Sequence, residues 1–114
     1  MNIYISIPDN IKVADINKNA VLGYLRTNPD HFFSAREISL ACGINPENTQ
    51  ITVRKAITEL LEVDHYPIIS SSIGYCYTTD SEKLDNYLNE LALRLIGIDR
   101  RMEAIRLIQR RLQW

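Results

Sequence analysis

Between positions 48 and 58 the chain concentrates amide, hydroxyl and cationic side chains: Asn48, Gln50, Thr52, Arg54, Lys55 and Thr58. Amides and hydroxyls exchange hydrogen bonds in both directions, and guanidinium and ammonium groups seek oxyanions. Such a set suits base edges and phosphate oxygens. Ser34 and Arg36 add a second hydroxyl and cation upstream. Catalytic chemistry has no comparable footing. The chain lacks a Gly-rich phosphate loop, a paired-carboxylate constellation and a Ser or Cys nucleophile with an evident base, so no enzyme is expected. Cys42 and Cys76 lie in apolar helix and strand contexts and read as small buried hydrophobes. With His31 and His65 they show no C-x-x-C or H-x-x-x-H spacing, so neither a metal nor another cofactor is expected.

Helical elements must present those side chains. Ser34-Ala35-Arg36-Glu37 is a capping box that should start one helix, with Ile38, Leu40 and Ala41 on its apolar face and Gly43 in the left-handed position that ends it. Asn45 followed by Pro46 offers a start for the next helix, and Asn48 is an alternative cap within about one turn. Val53, Ile57 and Leu60 form its buried stripe. Asn48, Ile51, Thr52, Lys55, Thr58, Glu59 and Glu62 take the opposite face, with Gln50 and Arg54 on the flank. Glu59 and Glu62 would repel phosphate, so the N-terminal end of this helix is the expected reading end.

An earlier helix is expected from Asn17 as cap to about Thr27, carrying Val21, Leu22 and Leu25 and stopped by Asn28-Pro29-Asp30. Phe32-Phe33 suits a very short strand. Residues 66–71 and 74–79, rich in β-branched and aromatic side chains and joined through a turn ending at Gly74, predict a tight hairpin. Its tip offers serines and Ile73 but no Lys or Arg. Residues 1–16 read as a strand with Ile3, Ile5 and Ile7 alternating up to Pro8, then a connection.

From a cap at Asp80 or Ser81, the residues Leu84, Leu88, Leu91, Leu95, Ile98, Met102, Ile105 and Leu112 keep a 4-3 spacing broken only by Gln109. A helix carrying this stripe over 80–114 is about 48 Å long, more than a small domain can cover, so a partner helix is expected, first of all from another copy of the chain. Gly97 allows the alternative of a break and a helical hairpin. Leu at a and Ile at d, with Leu93, Ile96, Leu107 and Ile108 widening the apolar surface, leave the number of associating chains open, a dimer being the first expectation and a higher oligomer the alternative. Arg94, Arg100, Arg101, Arg106, Arg110 and Arg111 read first as complements to the helix dipole and to Asp99 and Glu103, and second as phosphate contacts.

A chain of 114 residues allows one small domain plus an appendage, and 46% hydrophobic with 24% charged residues is the composition of a folded protein. No stretch approaches the ~20 apolar residues of a membrane span, and the first eight residues lack the charged and apolar regions of a signal peptide. A cytoplasmic protein without a membrane partner is expected. The net charge of -1 excludes affinity through bulk basicity. Within 17–79, Lys18, Arg26, Arg36, Arg54 and Lys55 face Asp30, Glu37, Glu47, Glu59, Glu62 and Asp64. Nucleic-acid binding would therefore require positive charge to be sorted onto one face.

The order helix, turn, helix, hairpin over 17–79 resembles the winged helix-turn-helix domains of the biotin operon repressor and of GntR-type regulators. The run Thr52-Val53-Arg54-Lys55-Ala56-Ile57-Thr58-Glu59-Leu60 is similar to the latter part of their recognition helix, and residues 67–75 resemble a wing ending in Gly-Tyr. Gln50-Ile51 stands where such helices often carry Ser-Arg, and four extra residues separate Gly43 from the helix body. The resemblance implies an α+β, mainly α fold that binds double-stranded DNA in a sequence-specific way, as in small bacterial or phage transcription regulators. It places Ser34 and Arg36 for phosphate and Thr52, Arg54 and Lys55 at or beside the groove. The competing expectation is a protein-interaction adaptor that grips transcription or replication machinery, favoured by the acidic balance and by exposed Ile51.

Overall fold

Val21, Leu22 and Leu25 fall on one side of a 3.6-residue period, and that side packs the first helix into a common core. The computed structural model describes residues 13–44 and 50–113 and divides the chain into two compact units, Met1–Thr79 and Asp80–Trp114. Helix α1 spans Val13–Thr27, so Asn17 lies inside it rather than capping it, which corrects the expected connection at its last residues. No Gly or Pro interrupts 13–16, and Asp15 places negative charge at the positive end of the helix dipole, so a start before Asn17 is favourable. The expected strand at Ile3, Ile5 and Ile7 lies outside the described residues.

Asp30 ends the turn after α1 in the left-handed region (φ 66°). Its amide donates to the Tyr77 carbonyl at 2.9 Å, and its carboxylate accepts the hydroxyl of fully buried Thr78 at 2.6 Å. Helix α2 spans Ala35–Ala41. Its cap, Ser34, accepts from the Glu37 amide at 3.1 Å, and Gly43 sits left-handed (φ 68°) beyond its end, both as the sequence predicts.

Helix α3 spans Ile51–Glu62. The start is later than either Asn45 or Asn48 predicts; both lie outside the described residues. Gln50 occupies the N-cap in a left-handed conformation (φ 54°) without a side-chain cap, and helical geometry cannot run through such a residue. A tertiary hydrogen bond holds it instead: the hydroxyl of buried Ser39 donates to Gln50 Oε1 at 2.7 Å.

Strands β1 (Ile68–Ser71) and β2 (Gly74–Tyr77) pair antiparallel, Ile68 with Tyr77 and Ser71 with Gly74, leaving Ser72 and Ile73 as the tip. Both strands are shorter than the sequence predicts. Phe33 extends the hairpin by one bridge to Tyr75, with amide and carbonyl exchanged at 2.8 Å in each direction, as the short-strand reading of Phe32-Phe33 anticipates. The core under this sheet joins Val21 and Leu25 of α1, Ile38 of α2, Val53, Ile57 and Leu60 of α3, and Ile68. The Tyr24 ring packs at a tilt against Phe33, centroids 4.6 Å apart, and the Arg26 guanidinium lies over the rings of Tyr66 (4.8 Å) and Tyr77 (5.3 Å).

The second unit is helix α4, Ser81–Leu112, capped by Asp80, whose carboxylate accepts from the Glu82 amide at 3.0 Å. It passes Gly97 without a break, so the hairpin alternative is set aside. Three helices, a two-stranded antiparallel sheet and a long last helix make this an α+β, mainly α fold with the layout of a winged helix-turn-helix.

Candidate nucleic-acid interface

Because Val53, Ala56, Ile57 and Leu60 turn inward, α3 presents Ile51, Arg54, Lys55, Thr58 and Glu59 outward, with Thr52 half-buried beside them. Most of this face, joined by Asn17 of α1, lines an open cavity of about 680 Å³. Four of the site residues named from sequence, Thr52, Arg54, Lys55 and Thr58, are thus gathered on one cavity wall. Arg54 and Lys55 form no ion pair with any described residue.

The acids further along are treated differently. Lys18 of α1 reaches across to Asp64 at 2.8 Å and to Glu59 at 3.8 Å, with its side chain only 17% exposed. The hydrogen bond to Asp64 is the main cause that pushes its ammonium above the ordinary value of 10.5. Lys18 thus offsets one of the three negative charges at this end of α3, those of Glu59, Glu62 and Asp64, and draws two of the carboxylates toward α1, while the two cations near the helix start have no ion-pair partner among the described residues. Sequence reading missed Lys18 because its partners lie far along the chain and no spacing rule connects them.

The remaining nominated residues fall elsewhere. Gln50 has its carbonyl oxygen committed to Ser39, which makes it a support for the start of α3. Asn48 lies outside the described residues. Ser34 and Arg36 stand at the start of α2; the Ser34 oxygen caps that helix, and the Arg36 side chain is exposed. At the wing tip Ile73 is exposed and the Ser71 hydroxyl accepts the Ile73 amide at 3.2 Å, so the tip presents no cation.

In the second unit, no residue of α4 is buried. Of the predicted stripe, Leu88, Leu91, Leu95, Ile98, Met102, Ile105 and Leu112 are exposed and Leu84 is half-buried; Leu93, Ile96, Leu107 and Ile108 are exposed as well. Arg106 pairs with Glu103 at 3.3 Å within the helix. Among the described residues no helix is long and apolar enough to cross a membrane. Comparison with protein-family models, with curated proteins and with solved structures finds no match for this chain.

Proposed function

We propose that this chain is a sequence-specific double-stranded DNA-binding protein, a small regulator that reads the major groove with the outward face of α3 and assembles in several copies through α4. The sorting of charge along α3 carries this reading. Arg54 and Lys55 are exposed and unmatched by any described acid, whereas Glu59 and Asp64 are drawn to Lys18. A chain of net charge -1 thereby gains a local positive end on a cavity wall that also carries the hydroxyls of Thr52 and Thr58 and the amide of Asn17. The stubby wing, without Lys or Arg, leaves α3 to supply most of the contact.

The test is a mobility-shift assay on genomic duplex fragments with excess non-specific competitor. The unaltered chain is expected to retain a subset of fragments and the Arg54→Ala/Lys55→Ala variant to lose them. Equal retention by both would remove α3 as the reading element.

One observation favours a second reading, a protein-interaction adaptor. Ile51 is 48% exposed at the rim of the α3 cavity, where an apolar side chain of a partner could lodge. Capture of a partner that survives high salt and is lost in Ile51→Ser, from a protein without salt-sensitive DNA affinity, would decide for it.

A further inference from the structure

The ends of α4 carry opposite charge. Residues 80–93 hold Asp80, Glu82, Asp85 and Glu90 against Lys83 alone, and residues 100–112 hold Arg100, Arg101, Arg106, Arg110 and Arg111 against Glu103 alone. Between them Arg94 and Asp99 cancel. Within a single helix, dipole complementarity accounts for Glu82 in the first turn and for Arg110 and Arg111 in the last. It does not account for Arg100, Arg101 and Arg106, which lie one to three turns further in, where the dipole effect has decayed. Of these three, Arg106 forms an ion pair with Glu103, and no ion pair is seen for Arg100 or Arg101 among the described residues.

The apolar stripe and this polarity together specify an occupant. We infer that α4 pairs with the α4 of a second copy in antiparallel orientation, so that the acidic end of each helix lies along the arginine-rich end of the other. A parallel pair would set the five arginines of one C-terminal end alongside the five of the other across axes about 8–10 Å apart, close to the ~8 Å Debye length at physiological salt, so that their repulsion is only partly screened. Packing Ile98 against Leu95 of the second copy overlaps the two helices almost fully and centres the pair between Ile96 and Gly97. The same register places Leu91 against Met102, and Ile105 against Leu88. Flanking pairs leave the choice to the ends: antiparallel packing sets Asp85 near Arg106 but Arg94 near Arg101, and parallel packing sets Arg94 near Asp99 but Arg101 near Arg106. The two winged units then enter the pair from opposite ends. This inference rests on the self-association reading above and is independent of DNA.

The test uses the full chain without DNA, spin-labelled at Asn86→Cys in a Cys42→Ala background, Cys76 being fully buried. Position 86 lies on the outer face of the stripe's register, so antiparallel pairing predicts labels offset by roughly 30 Å along the helix axis in addition to their separation across the pair; labels separated only across the pair, about 20 Å apart, would show a parallel pair and overturn the inference. A monomeric mass would overturn both the inference and the self-association reading, whereas a short distance in an oligomer overturns only the polarity. The unlabelled chain gives a second measure. Between about 0.05 and 0.3 M NaCl its dissociation constant should rise several-fold as the opposed ends are screened; a fall would point to relieved repulsion between like ends and contradict the antiparallel arrangement.

Discussion

Gly74 lies directly against the backbone of Phe33: a Cβ at position 74 would overlap the Phe33 carbonyl and approach the Ser34 amide nitrogen to 2.9 Å. The residue also holds φ at 145°, a region essentially reserved for glycine. This contact locks the hairpin to the segment that opens α2, because Tyr75 exchanges both backbone hydrogen bonds with Phe33.

Gly74→Ala should therefore cost about 2–4 kcal/mol, the sum of backbone strain and of the bridge that must open. Ser72→Ala at the exposed tip should change stability by less than about 0.5 kcal/mol. Urea unfolding of the two variants checks both values.

Buried Ser39 and half-buried Gln50 form a pair whose loss is asymmetric. Gln50→Ala leaves the Ser39 hydroxyl without this acceptor and should cost about 1–3 kcal/mol. Adding Ser39→Ala should recover part of that loss, since the orphaned hydroxyl is then gone. A double-mutant cycle measures the coupling, and strict additivity would show that the bond contributes nothing.

The fold was largely legible along the chain because its signals are local: the Ser34 cap, the Gly43 stop, the Val53-Ile57-Leu60 stripe and the β-branched hairpin are each written within a few residues. The start of α3 was not. Asn45-Pro46 and Asn48 are strong local start signals, yet the helix begins after a left-handed Gln50 held by Ser39, a residue of another helix. The start of α1 was missed for a related reason, since Asn17 resembles a cap while nothing before it stops a helix. Of the candidate interface, the outward residues of α3 were readable from periodicity. The charge sorting by Lys18 was not, because it depends on α1 crossing the end of α3.

Lys18 gives a pH signature. Its folded pKa is raised, so its contribution to stability is complete below the ordinary lysine value of 10.5 and is lost as pH climbs through the higher folded value. Lys18→Met should be less stable than the unaltered chain at neutral pH, and the difference should close above 10.5. Denaturation midpoints at the two pH values test this. The same variant should bind DNA more weakly, because Glu59 and Asp64 would lose the one positive charge that partly offsets them beside α3.

Self-association through α4 predicts that Leu95→Lys combined with Ile98→Lys lowers the mass in solution to that of one chain. Each side chain contributes about 1.5–3 kcal/mol when fully buried, so the dissociation constant should rise at least about a hundredfold. Sedimentation equilibrium reads this directly, and an unchanged mass would show that another surface joins the copies. Helicity of the winged unit should be unaffected, since Leu95 and Ile98 are both exposed on α4.

The salt dependence of DNA affinity tests the central claim most directly. If Arg54 and Lys55 sit on phosphates, log K against log salt for a retained fragment should lose roughly 0.9 of slope for each contact removed, so the Arg54→Ala/Lys55→Ala variant should be shallower by about 1.8 per copy engaged. Affinity should fall most at low salt. Identical slopes and affinities for the two proteins would contradict the assignment of DNA reading to α3.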